Sequence, residues 1–378
     1  MRNLTELEQR AVDAPINLSD GHPRMSLTDR QQAIVDRLPE LFADARRENF
    51  KDLEQRAQAC FLSAIGQDCA PVAEGRVQSV YSSSVGTMVV GRVLRSRHPR
   101  VAVIHPTFDN IPDLLTDHVD LVPISEHELM DGDLAAAERR GATAVWVTTP
   151  NNPTGWVLDR ARFSHITEEA ARRRILLCLD TSFRGFDTRA QHDSYEILEA
   201  AGGDYIVIED TGKLWPTGEL KAGFIVTSRS LDDEMKRALS DVLLTVSPVI
   251  LRLIEELAAD AAAGGFKILH DLIARNREQI MATVRRLDID SADDQDARVS
   301  VSMVRFHSPA QAHGVYSELQ RAGIHVLPCQ QFYWAQPQEG SASLRIALAR
   351  DFEFFDAGLR RLEQATLDKS RAKVPGLA

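Results

Sequence analysis

With 378 residues, 44% of them hydrophobic and 26% charged, the chain is long enough for a large core and a smaller second one. Its net charge of -11 argues against a nucleic-acid partner, and no run of about 18 apolar residues offers a membrane span. Four scattered cysteines (Cys60, Cys69, Cys178, Cys329) lack disulfide or metal-site spacing, so no metal is expected and a reducing, cytoplasmic setting is.

Residues 1–27 open on MRNLTELEQRAVDAP, a polar stretch without an apolar signal core, and read as an arm or lid. Residues 28–68 read as a helical lead-in, with Ile34, Leu38, Leu41 and Phe42 at spacings of three and four. From about 76 to 228, short aliphatic runs recur: RVAVI (100–104), AVWV (144–147), ILLCL (175–179), YIVI (205–208) and GFIV (223–226). Helix-like stretches such as 159–174 and 194–202 lie between several of them. Continuous apolar runs with helical spacers predict strands buried on both faces of a largely parallel α/β sheet. Residues 230–286 read as one long helix broken near Pro248 and Gly264–Gly265. From 298, VSVSMVRF, a helix at 310–322, HVLPC and SLRIALA predict a smaller α+β unit. The expected division is a large domain over 28–250 and a small domain over 251–378.

Parallel sheets bind ligands beyond the carboxyl ends of their strands. There the sequence places Phe108 in HPTFDN, Asn152 in TTPNNPTG, Asp180 in DTSFRGF and Lys213 in EDTGKLWP. Singly, each has an ordinary reading as core, turn former, cap or solvated loop. Together they meet the needs of pyridoxal 5'-phosphate (PLP): an apolar plate for the ring, a donor at the phenolic oxygen, an anion at the pyridine nitrogen and an amine for the aldehyde. YSSSVGTM (81–88), ahead of a helix-like segment, offers hydroxyls and free amides to a phosphate. Of the two lysines eight residues apart, Lys213 is assigned to the aldehyde and Lys221 to the phosphate.

NNPTG, an aspartate 28 residues after Asn152, and a lysine followed eight residues on by a cation resemble the class I/II aminotransferases, over roughly residues 60–350. The resemblance implies the fold type I architecture of PLP-dependent transferases. It gives Asn152 to the phenolic oxygen, Asp180 to the pyridinium, Phe108 to the ring, and Ser82, Ser83 and Ser84 to the phosphate. Arg345 would clamp the substrate carboxylate. Two departures stand out: Phe183 replaces the family's usual tyrosine, with Ser182 as a possible substitute for its hydroxyl, and Lys221 replaces a phosphate-binding arginine.

LSDGHPR (18–24), VYSSSV (80–85), HPTFDNIPDLL (105–115), LDTSFRGFD (179–187), IEDTGKLWPT (208–217) and LPCQQFYWA (327–335) give a narrower match. They look like the PLP-dependent L-arginine hydroxylases (oxidases) of enduracididine biosynthesis, along nearly the whole chain. That resemblance implies dioxygen as cosubstrate and conversion of L-arginine to 4-hydroxy-2-ketoarginine. 2-Ketoarginine is the implied by-product, with release of ammonia and peroxide. Thr5, Glu8, Asp20 and Asp210 are the matching candidates for the substrate guanidinium, Lys213 the base at the α-carbon, and His22 a handler of water. The alternatives are an arginine aminotransferase and a four-electron oxidase that stops at a dehydroarginine. A homodimer is expected from the fold.

Overall fold

The computed structural model describes residues 3–218 and 220–371. The extreme ends of the expected arm and small domain, and residue 219, lie outside these.

A two-residue strand β1 (Ile16–Asn17) precedes a central sheet of seven strands: β2 (Val77–Val80), β3 (Arg100–His105), β4 (Asp120–Ser125), β5 (Ala144–Thr148), β6 (Leu176–Asp180), β7 (Tyr205–Asp210) and β8 (Gly223–Thr227). Their spatial order is β2-β8-β7-β6-β5-β3-β4. Strands β3 to β7 run parallel, while β8 is antiparallel to both β7 and β2. Every residue of β5, β6, β7 and β8 is buried, the burial that continuous apolar runs imply. The aliphatic runs therefore became strands where expected. β4 went unread because DLVPIS is half-buried at the sheet edge and carries Pro123, which only an edge strand tolerates.

The lead-in forms three helices, Asp29–Asp36, Leu38–Ala45 and Phe50–Ala64. The expected long helix is instead three: Asp232–Ser240, Pro248–Asp260 and Phe266–Arg286. Pro248 opens the second, and the last two are separated by a wide turn at Ala261–Gly265, where Gly264 has φ +95. The segment 241–247, expected to be helical, is not. Beyond it lie β9 (Asp290–Ser291), β10 (Val301–Arg305), β11 (Ile324–His325), β12 (Leu327–Pro328) and β13 (Ser343–Ala347). Four of these form a sheet of order β12-β13-β10-β9, and a closing helix covers Phe352–Arg371.

The arm has definite structure. Residues Leu4–Arg10 form a helix whose Asn3 cap accepts from the Glu6 N–H at 2.9 Å. Leu4 is buried with Met303, Leu327, Phe332 and Tyr333, a burial worth roughly 1.5–3 kcal/mol. β1 pairs in parallel with β11, which carries the arm across the mouth of the sheet. Among the described residues, no helix is long and apolar enough to cross a membrane, and no cluster of His, Cys, Asp and Glu could hold a metal.

Candidate active site

A cavity of about 500 Å³ opens beyond the carboxyl ends of the central strands, under the arm. β6 ends on Asp180, and β7 ends on Asp210 and passes into the tight turn Thr211–Lys213. Lys221 lies just before β8, which pairs Gly223 with Asp210. The two lysines therefore stand on the two sides of one hairpin. A Cβ on Gly212 would meet Lys221 Cδ at 2.4 Å, so the glycine in TGK leaves room for the Lys221 side chain beside the turn. Ser82 caps the helix Ser83–Arg97, accepting from the Val85 N–H. Phe108, Asn152, Ser182, Thr5, Glu8, Asp20, His22 and Arg345 complete the candidates, all of which line this cavity.

Both lysine ammoniums converge on His22 Nε2, at 3.3 Å from Lys213 and 3.2 Å from Lys221. Lys213, with burial, drives the imidazole down to about 4, against the pull of Asp20. His22 is thus neutral at ordinary pH, with Nδ1 3.7 Å from Asp20 Oδ1. Burial pushes the Asp20 carboxyl up, but the neighbouring His22 ring and the charges of Arg350 and Arg24 overcome this and hold it well below the usual range. Asp20 also accepts from Asn17, from Arg24 at 2.7 Å and from the His22 N–H at 3.0 Å. Its oxygens are thus heavily engaged before any substrate arrives.

Asp180 is fully buried, and burial lifts it to about 6 despite bonds from Ser182 and the charge of Lys213. Ser182 donates both its N–H (3.0 Å) and its hydroxyl (2.6 Å) to Asp180 Oδ1. The hydroxyl considered as a substitute for the missing phenol is spent on the carboxylate instead. Phe183 packs under the arm, where a Cβ on Gly21 would meet its ring at 3.3 Å, and Lys213 Nζ lies 6.0 Å from the ring centroid. Asp210 accepts the N–H groups of Ser83 (3.0 Å) and Gly212 (2.7 Å). Burial raises its pKa, but Lys213, Lys221 and these two bonds bring it below the usual value.

Arg345 is wholly buried, and its Nε has no partner. It donates to Asn152 Oδ1 at 3.2 Å, to Glu8 at 3.0 Å and to the Ser19 carbonyl, and lies 5.4 Å from the Phe332 ring centroid. Fixing the Asn152 oxygen turns the amide N–H₂ away from Arg345. Phe332 also packs edge-on against Phe108 at 5.8 Å.

These groups fit PLP. A buried carboxylate that takes both Ser182 bonds on one oxygen suits a pyridinium. An amide with its oxygen already engaged suits a phenolic oxygen, and a 15-residue helix start beside a lysine suits a phosphate. Asp180 feels the charge of Lys213, the lysine assigned to the aldehyde.

Several functional neighbours escaped the sequence reading. Arg350 grips the arm backbone, donating to the carbonyls of Asn17 (2.6 Å), Asp20 (2.7 Å) and His22 (2.7 Å). Asp109 accepts the Leu4 N–H at 2.7 Å at the start of the arm helix. Their sequence neighbours Arg345 and Phe108 were read, but a side chain bound to main chain leaves no motif. Arg24, Tyr81 and Asn110 also line the cavity.

Fold and site define a PLP-dependent enzyme of the aminotransferase type, and the chain belongs to the class I and II aminotransferase family, which matches residues 15–361. A solved structure of MppP soaked with the product 2-ketoarginine is 42% identical, covers 93% of this chain and 99% of its own, and superposes with a TM-score of 0.87. The narrower resemblance is thus matched by close likeness over nearly the full length. Aspartate aminotransferase from Thermus thermophilus, solved with maleate, shares the fold at TM-score 0.77 and 14% identity, over 97% of both chains. LL-diaminopimelate aminotransferase from Gloeobacter violaceus is 26% identical over 149 residues, which is 38% of this chain and 36% of that protein's length.

Proposed function

We propose that the protein oxidises free L-arginine with PLP and dioxygen, giving 4-hydroxy-2-ketoarginine with 2-ketoarginine as by-product. The observation that carries this reading is a single cavity that Arg345, buried with an unpartnered Nε, lines together with Lys213 and the carboxylates Glu8, Asp20 and Asp210. Such a site complements an amino acid with an anionic head and a cationic tail. The 42% identity to MppP, whose soaked product is 2-ketoarginine, supports the same substrate class.

When bound, PLP supplies an electron sink for the bonding pair left at the substrate α-carbon. Asp180, held by Ser182, would keep a proton at the pyridine nitrogen, and Asn152 would donate to the phenolic oxygen. Ser82, Ser83, Ser84 and Lys221 would hold the phosphate, and Phe108 would cover the ring. Arg345 binds the substrate carboxylate, and Lys213 takes the α-proton. Thr5 and Glu8 lie three residues apart on one face of the arm helix and meet the guanidinium, with Asp210 across the cavity. Asp20, engaged by Arg24 and Arg350, acts mainly by orienting His22. Neutral His22 can take a proton from the water that adds at the γ-carbon. Each electron pair removed reduces one dioxygen to peroxide, and water displaces ammonia.

The test is arginine turnover in air with mass analysis of products, with and without a keto acid. Oxygen uptake with arginine alone, ammonia, and a hydroxylated keto acid are expected. A requirement for pyruvate or 2-oxoglutarate, with rates unchanged without air, makes the protein an aminotransferase. An unsaturated product lacking the new hydroxyl makes it a four-electron oxidase.

A further inference from the structure

We propose that Glu126 is a positioning residue for the cofactor site, tying together the two loops that carry Phe108 and Asn152. The inference rests on the reading of those two side chains as cofactor contacts. Glu126 follows the edge strand β4, whose carboxyl end lies beside that of β3, with Ser125 opposite His105. Its Oε1 accepts from Asn151 Nδ2 at 2.6 Å and from Thr154 Oγ1 at 2.5 Å. Asn151 Nδ2 also donates to the Pro106 carbonyl at 2.8 Å. One amide nitrogen therefore bridges the 151–155 loop to the segment two residues before Phe108, and Glu126 holds that nitrogen.

The amide nitrogen's two bonds, to Glu126 and to the Pro106 carbonyl, are the side chain's anchors. Asn151 is fully buried and its Oδ1 has no partner, so its side chain is held through Nδ2 alone. The far end of the loop is closed by main chain: Gly155 N–H donates to the Asn151 carbonyl at 2.8 Å, and Asp294 N–H to the Thr154 carbonyl at 2.7 Å. Gly155 has φ +74, and a Cβ there would strike Ala297 at 2.5 Å. The near end, where Asn152 sits, is held by the Asn151 N–H on the Trp156 carbonyl at 2.8 Å and by the Asn151 side chain, which Glu126 and Pro106 share. Burial lifts the Glu126 carboxyl to about 7, with the Asp294 charge adding to the rise and the two hydrogen bonds opposing it. A half-buried carboxyl that joins two loops of the site, and is unused by the chemistry, calls for a task.

The test compares Glu126→Ala and Glu126→Gln holoenzymes by titrating the visible cofactor band against pH, with the melting temperature recorded alongside. A hydrogen bond donated to the phenolic oxygen competes with the proton that this oxygen shares with the Lys213 nitrogen. Loosening Asn152 therefore raises the midpoint. Glu126→Ala should raise it by about 1 pH unit, the scale of one charge-assisted hydrogen bond. Glu126→Gln keeps an oxygen acceptor in place and should titrate close to wild type, as a role confined to general stability would not require. An unshifted midpoint in folded Glu126→Ala overturns the inference, as does an equal shift in both variants. Should Glu126→Ala not fold, Asn151→Ala decides in the same way. A wild-type protein with no visible band overturns the cofactor reading itself, and this inference with it.

Discussion

Burial lifts the Glu8 carboxyl to about 7, although Arg345 and Lys213 pull it down. Only the ionised form can pair with a guanidinium, and that form dominates above the shifted value. As pH falls through about 7, Glu8 takes up a proton and arginine binding must weaken, by at most about tenfold per pH unit. The KM for arginine should therefore rise between about pH 8 and pH 6, with kcat changing less. Glu8→Gln should flatten this dependence and raise KM at pH 8 by about tenfold to a hundredfold, the worth of a charged hydrogen bond. Initial rates from an oxygen electrode read both. A wild-type KM that stays flat over this range would remove Glu8 from the guanidinium site. At this scale, sequence reasoning reached the side chains at the strand ends because strand order places them at one edge. It could not reach Arg350, Asp109 or Glu126, whose partners are main-chain groups or a neighbouring loop. It also could not see that Ser182 spends its hydroxyl on Asp180.

The arm is the element whose order the sequence explains least. Its hydrophobic periodicity is weak, and packing contributes mainly through Leu4, Ala11 and Leu18. Polar ties do the rest: Asp109 on the helix start, Arg345 on Glu8 and Ser19, and Arg350 on three carbonyls. These ties are built from residues about 100 to 340 positions away, which a local pattern cannot encode. None of them bonds Asp180, Asn152 or Ser82–Ser84 directly, and Asn152 meets the arm only through Arg345. Deleting residues 1–20 should leave PLP bound, raise the arginine KM at least about tenfold through loss of a charged contact, and abolish hydroxylated product. His22→Ala in the full chain should keep oxygen uptake while shifting product toward 2-ketoarginine. Chromatography of the keto acids against a PLP absorbance count checks both. A truncated protein with wild-type kinetics and product ratio would refute the closing role of the arm. The helices teach a related lesson: Pro248 and Gly264 announced their breaks, whereas nothing comparable marks where the helix ending at Ser240 stops.

At the scale of the whole molecule, the parallel sheet was legible because strands buried on both faces write continuous apolar runs, and three strands of the second, four-stranded sheet because the texture changes near 298. The surface was less legible, since an exposed leucine and a core leucine look alike in a sequence. Leu244 is 96% exposed, and Phe42, Leu220 and Val242 are exposed with it. Leu38, Phe42, Leu220, Val249, Ile250 and Leu253 line one apolar groove, and Val242 and Leu244 lie on the segment leading into the helix that carries the last three. Apolar side chains gathered in this way mark an interaction surface. The homodimer expected from the fold supplies an occupant, a second copy of the chain. In a two-fold dimer each substitution acts twice, once in each copy. Burying one leucine is worth about 1.5–3 kcal/mol. Placing a charge there in both copies should therefore weaken association by at least about a hundredfold. Light scattering at micromolar concentration should give twice the chain mass for the wild type. Leu244→Glu combined with Phe42→Glu should give the chain mass, with circular dichroism unchanged because neither side chain is buried in the chain itself. A wild-type monomer at that concentration, or a doubly substituted chain that still dimerises, would show that this face is not where two copies meet.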